Sequence, residues 1–122
     1  MNEDILIVGD GYHTAVYAAG LIGYGYHVDE ARTVDGARVR LRAGILPHVI
    51  IIDLRHADTH VSRLIQYLRQ ELNRWDIGVI VIGHQTQAEG CYLAGANRFL
   101  TRPVEIDGLL DNVRALTAPE LQ

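Results

Sequence analysis

The sequence predicts an α/β fold: a five-stranded, parallel, doubly wound sheet with helices on both faces. Short apolar runs alternate with segments of helical spacing along the 122-residue chain. The runs are uninterrupted and rich in β-branched residues, which is typical of strands that are covered on both faces. Regular alternation of strands and helices favours a parallel sheet with right-handed crossovers.

Five segments are predicted as strands. Residues 5–8, 49–52 and 79–82 each contain four consecutive apolar side chains, and residues 98–100 form a weaker run. Residues 26–31 are more polar, which indicates a strand at the edge of the sheet. All five are too short for helices.

The segments between the strands have helical spacing of apolar side chains, which predicts amphipathic helices. These segments are 13–23, 34–43, 61–72 and 106–116. Gly44 and Pro47 end the second helix. Residues 86–95 predict only a short, glycine-broken helix.

Length and composition predict one domain, with a core over residues 4–116 and a loose tail over 117–122. The net charge is −4 and no basic face is evident, which argues against direct nucleic-acid binding. The apolar runs are too short to cross a bilayer, and the first residues do not form a secretory signal, so we expect no membrane contact and a cytoplasmic protein. The single cysteine, Cys91, is predicted to be a small packed side chain.

Three residues of interest follow the ends of predicted strands. Asp10 follows the first strand, Asp53 the third and Gly83 the fourth. In open parallel sheets, ligand sites lie beyond the carboxyl ends of the strands. The sequence therefore places a candidate site around Asp53.

The strand-end motifs resemble the receiver domain of two-component response regulators. They are ILIVGD, VIIIDL, VIVIGH and AGANRFLTRPV, and they cover nearly the whole chain. The resemblance implies a flavodoxin-like sheet with strand order 2-1-3-4-5. It also implies a phosphorelay signalling protein, not an enzyme, in which Asp53 accepts a phosphoryl group from a histidine kinase.

The resemblance assigns further roles around Asp53. Mg²⁺ is expected at the carboxylates of Asp10 and Asp53 and the backbone carbonyl of Arg55, because hard cations prefer oxygen ligands. Arg102, which precedes Pro103, occupies the position of the family's lysine.

The switch residues of the family correspond here to Gly83, in place of a serine or threonine, and Phe99, the aromatic residue of the fifth strand. The sequence departs from the family pattern at Gly9, which replaces one acid of a pair, and at Gly83, which has no hydroxyl. We therefore expect weakened Mg²⁺ binding, poor coupling of phosphorylation to the fourth helix and fifth strand, and a shortened fourth helix.

An alternative interpretation is a pseudo-receiver, a protein-interaction module that works without phosphate. Arg102 would then be a permanent ion-pair partner of Asp53, and Asp10 only a helix N-cap. In either case the partners are a histidine kinase or another signalling protein, with a homodimer through the last helix and fifth strand as a further option that the family suggests.

Two weaker hypotheses concern other ligands. His13, His56 and His84 follow three strands and with the carboxylates could bind a transition metal such as Zn²⁺. Gly9 and Gly11 form a G-x-G pair, but the third glycine of a dinucleotide-binding loop is missing.

Overall fold

Five parallel strands form one sheet in the order β2-β1-β3-β4-β5 in the computed structural model, which describes residues 4–54 and 59–117. The strands are β1 Asp4–Val8, β2 His27–Ala31, β3 Val49–Asp53, β4 Gly78–Gly83 and β5 Arg98–Thr101. This is the predicted fold class and strand order, and both are confirmed. The carboxyl ends of β1, β3, β4 and β5 meet at one rim.

The uninterrupted apolar runs are explained by helices on both faces of the sheet. Side chains alternate along a strand, so Leu6 and Ile50 enter one core whereas Ile5 and Val49 enter the other. The first core is covered by the helices that begin at Val34, Thr59 and Ala88, and the second by those that begin at Tyr12 and Ile106. All five residues of β3 are buried, including the acid at its end.

The helices are α1 Tyr12–Gly23, α2 Val34–Arg42, α3 Thr59–Gln66, α4 Ala88–Ala94 and α5 Ile106–Thr117. A π-helical turn, Tyr67–Glu71, continues α3, and a 3₁₀ turn, Gln85–Gln87, precedes α4. Residues 118–122 of the predicted tail lie outside the described residues. No helix in the described part of the chain is long and apolar enough to span a bilayer.

The predicted shortening of the fourth helix is confirmed. Only seven residues of α4 are α-helical, and the preceding turn is 3₁₀. The predicted break at a glycine is wrong, because the helix continues through Gly90. The helix ends at Gly95, which has a φ of 119° that favours glycine.

A buried arginine fixes the loops that precede β4 and β5. Arg69 is 2% exposed and belongs to the π-helical turn. Its guanidinium donates to the carbonyl oxygens of Gly95, Arg74 and Ile77, at 2.7–3.1 Å, and to Asn97 Oδ1 at 2.8 Å. Burial lowers the pKa of Arg69, because desolvation disfavours its charge. One side chain therefore connects the end of α3 with the α4–β5 loop.

At both edges of the sheet, a side chain forms a hydrogen bond with a backbone group of the edge strand. On β2, Arg40 Nη2 donates to the carbonyl oxygen of Glu30 at 3.0 Å. On β5, the backbone N–H of Phe99 donates to Tyr92 Oη, also at 3.0 Å. Edge strands with free backbone groups tend to pair with other chains, and these contacts reduce that tendency.

Candidate functional site at the rim of the sheet

Asp53 ends β3 and its carboxylate is almost fully enclosed, with 2% of the side chain exposed. Thr14 Oγ1, in the first turn of α1, donates to Asp53 Oδ2 at 3.0 Å. Arg102 Nη2 donates to Asp53 Oδ1 in a very close ion pair. Both carboxylate oxygens are thus already bound by side chains of the chain itself.

Arg102 reaches Asp53 from the end of β5. The same Nη2 also donates to the backbone carbonyl of Leu54 at 3.0 Å, and the Arg102–Pro103 peptide bond is cis. The Arg102 side chain is 29% exposed, so it lies between the buried Asp53 carboxylate and solvent. The ion pair that the sequence left as an alternative is the arrangement observed.

Gly9 leaves room for Thr14. A Cβ atom at position 9 would lie 2.8 Å from Thr14 Oγ1 and 3.1 Å from Asp53 Cβ. The backbone there has a φ of 155°, which side-chain-bearing residues rarely adopt. The Thr14 hydroxyl therefore occupies space that a side chain at position 9 would need.

We expect Gly9→Asp, which restores the second acid, to lower the free energy of unfolding by about 1–3 kcal/mol because of the backbone strain and the clash with Thr14. Urea denaturation of the variant beside wild type measures this. In the Thr14→Ala background the side-chain clash is absent, so Gly9→Asp should lower the free energy of unfolding by less than it does in wild type. Equal stability of Gly9→Asp and wild type would contradict the packing described.

Asp10 lies at the rim but outside the buried site. It is exposed, and it lines a cavity of about 270 Å³ together with Gly9 and Asp53. The interpretation of Asp10 as an N-cap is wrong: the N-cap of α1 is Gly11, and no side chain caps this helix.

These residues fit Mg²⁺ poorly. Mg²⁺ requires a near-octahedral set of oxygen ligands. Position 9 offers no carboxylate, and the Asp53 carboxylate is held by Arg102 and Thr14. Arg55, whose carbonyl was the third expected ligand, lies outside the described residues.

Gly83 and Phe99 meet at the end of β4. A Cβ atom on Gly83 would lie 3.2 Å from the Phe99 ring and 2.7 Å from Gln87 Oε1. That Gln87 oxygen accepts a hydrogen bond from the His84 backbone N–H at 2.8 Å. The side chain of Gln87 thus occupies space that a side chain at position 83 would need, and its hydrogen bond joins residue 87 to the backbone of residue 84.

The histidines predicted as metal ligands are not brought together in the described residues. His84 Nδ1 lies 2.9 Å from Thr86 Oγ1 and belongs to the cap of the 3₁₀ turn. His13 packs edge-on against the Tyr12 ring. His56 lies outside the described residues, and among the described ones no group of three potential ligands could hold a metal ion.

Cys91 is buried in α4, as predicted. Burial raises the pKa of the thiol, so less of the reactive thiolate is present at a given pH. At pH 8 we expect Ellman's reagent to react with the native protein more than about tenfold more slowly than with the urea-unfolded chain. Equal rates for the two forms would show that the thiol is accessible.

Thr14 is the site residue that the sequence did not reveal. It looks like an ordinary residue in the first turn of a helix. The available signal was positional: a hydroxyl shortly after β1 lies at the same rim as the acid that ends β3.

Solved structures resemble the chain over nearly its full length. A candidate response regulator from Chloroflexus aurantiacus has a TM-score of 0.85 at 24% identity, with 98% of this chain and 100% of that chain covered. The chain has the receiver-domain fold. A receiver domain of a signal transduction histidine kinase from Syntrophus aciditrophicus gives 0.80 at 24% identity, with 98% and 96% covered.

A chemotaxis response regulator of Vibrio cholerae has the same fold as this receiver-fold chain, with a TM-score of 0.81 at 18% identity and 95% and 99% covered. No protein-family model and no curated protein matches the chain. The TM-scores establish the receiver fold, whereas identities below 25% do not establish a function, which has to be argued from the site.

Proposed function

We propose that the chain is a receiver-fold module of two-component signalling that docks to a histidine kinase or another signalling protein without requiring phosphate. The observation that carries this proposal is the ion pair of Arg102 with the buried carboxylate of Asp53. The Arg102 guanidinium neutralises the Asp53 carboxylate and binds its Oδ1, which hinders attack of the carboxylate on a phosphoryl donor.

The loop after β4 supports the same function. A phosphoryl group can shift a conformational equilibrium only through contacts that differ between the two states. Gly83 offers no hydroxyl for such a contact, and Gln87 already holds the loop. Thr101 Oγ1 also donates to Gln85 Oε1 at 2.8 Å. The α4–β5 surface is therefore expected to keep one conformation whatever the state of Asp53.

A second candidate is a phosphoacceptor with weakened, Mg²⁺-dependent switching. It is favoured by the position of Asp53 at the carboxyl end of β3, beside the cavity that Asp10 also lines. For this function Arg102 has to leave the Asp53 carboxylate so that the carboxylate can attack the phosphoryl donor.

Intact mass after incubation with acetyl phosphate and Mg²⁺ distinguishes the two candidates. We expect no phosphate-sized increase in the mass of the chain, whereas an active receiver domain in the same reaction should show this increase. A gain that disappears in Asp53→Asn would overturn the proposal in favour of the phosphoacceptor. In a parallel NMR experiment, beryllofluoride and Mg²⁺ should leave the amide signal of Phe99 unshifted.

A further inference from the structure

A groove between α2 and α3, separate from the Asp53 site, is lined by two arginines. It encloses about 300 Å³ and is lined by Arg38, Arg63, Gln66, Tyr67, Gln70 and Glu71. We propose that this groove binds an acidic segment of a partner protein. This inference rests on the proposed function, since it names the kind of partner that the module would dock.

The two arginines of the groove are available to a partner. All eleven basic residues of the chain are arginines. Arg40, Arg74 and Arg102 each lie within ion-pair distance of a described carboxylate. Within 4–54 and 59–117, Arg38 and Arg63 have no such neighbour, and both are exposed.

Tyr67 gives one of these arginines a defined position. The Arg38 guanidinium lies over the Tyr67 ring, 5.2 Å from its centroid, a cation–π distance. Its planar fork can donate two parallel hydrogen bonds to one carboxylate, which a lysine cannot do. The side-chain amides of Gln66 and Gln70 can bind the backbone of a bound segment.

The helix geometry points to the same place. The π-helical turn Tyr67–Glu71 contributes three of the six lining residues, and Leu72 N–H donates to the Tyr67 carbonyl five residues back. Single π turns inside helices occur frequently at functional sites. Here the turn directs Arg69 into the protein interior while it places Tyr67, Gln70 and Glu71 along the groove.

Charge decides the class of partner. The groove carries two guanidinium groups and one carboxylate, Glu71, although the whole chain has a net charge of −4. A polyanion of high charge density such as nucleic acid would be repelled by the rest of the surface. A peptide with a few spaced carboxylates can pair one carboxylate with Arg38 and another with Arg63, and the spacing keeps its negative charges away from Glu71.

Fluorescence anisotropy of a labelled, glutamate-rich peptide tests the proposal. We expect saturable binding that weakens with added salt, because exposed charge pairs are screened. Arg38→Glu/Arg63→Glu should weaken binding by at least about tenfold. The matched control Arg42→Glu/Arg98→Glu carries the same change of charge at exposed positions outside the groove and should weaken binding by less than about threefold.

Three outcomes would overturn the groove assignment. They are equal loss of binding in the two double variants, amide shifts on NMR titration that fall outside α2 and the end of α3, and tighter binding of single-stranded DNA than of the peptide. None of them depends on Asp53. A phosphate-sized mass gain at Asp53 would overturn the phosphate-independent function and would leave the peptide result standing.

Discussion

Replacing Arg102 with methionine is expected to lower the free energy of unfolding by about 3 kcal/mol at pH 7. The substitution leaves the Asp53 carboxylate, 2% exposed, without the guanidinium that neutralises it. A buried charge that loses its partner bears its full desolvation cost, whereas methionine retains much of the packing of the arginine stem. Urea denaturation of variant and wild type measures the difference.

A double-mutant cycle shows whether the effect comes from the ion pair. Asp53→Asn/Arg102→Met removes both charges and should recover a large part of the loss, because no unpaired carboxylate remains. The control Arg98→Met replaces an exposed arginine of β5, the strand that ends just before Arg102, and should change stability only slightly. If Arg102→Met differs from wild type by less than about 0.5 kcal/mol, Asp53 does not depend on Arg102.

Replacing Arg69 with methionine should also be strongly destabilising, by about 3–5 kcal/mol. The guanidinium satisfies the carbonyl oxygens of Gly95, Arg74 and Ile77, which methionine cannot do. An acceptor left unsatisfied in the interior costs about 1–3 kcal/mol. Arg69→Lys should be intermediate, because an ammonium has three donors and lacks the planar fork.

Urea denaturation measures this loss, with Arg42→Met as the control because Arg42 is exposed in the last turn of α2. Native-state hydrogen exchange locates the effect: in Arg69→Met, protection should fall first at the amide of Asn97, which donates to the Val79 carbonyl. A variant as stable as wild type would mean that water satisfies these carbonyls.

The sheet and its order could be predicted because the signal is local and repeated. Apolar runs of four or more residues must be covered on both faces, and the chain between them has helical periodicity. The shortened α4 was predictable from the short spacing between Gly83 and Arg102. The positions of Asp53 and Arg102 at one rim followed from the same parallel topology.

The contacts that were not predicted depend on three-dimensional packing. The Thr14 hydroxyl has its place beside Asp53 only because Gly9 has no Cβ, and a sequence does not show that coincidence. Arg69 was hidden among eleven arginines, although it follows Ile65 by four residues and so falls on the apolar face of its helix. Helical periodicity likewise gives no sign of the π turn that carries Arg69.

The side chains on the two sheet edges limit how copies of this protein can associate. Arg40 of α2 binds the Glu30 carbonyl on β2 and Tyr92 of α4 binds the Phe99 N–H on β5, and an added strand would need these backbone groups. Addition of a strand from another molecule, the first step toward fibrillar aggregation, is thereby disfavoured at both edges of the sheet. Assembly with other proteins is left to the helical surfaces. Substitutions at Arg40 and Tyr92 are therefore expected to promote aggregation more than substitutions at other surface positions.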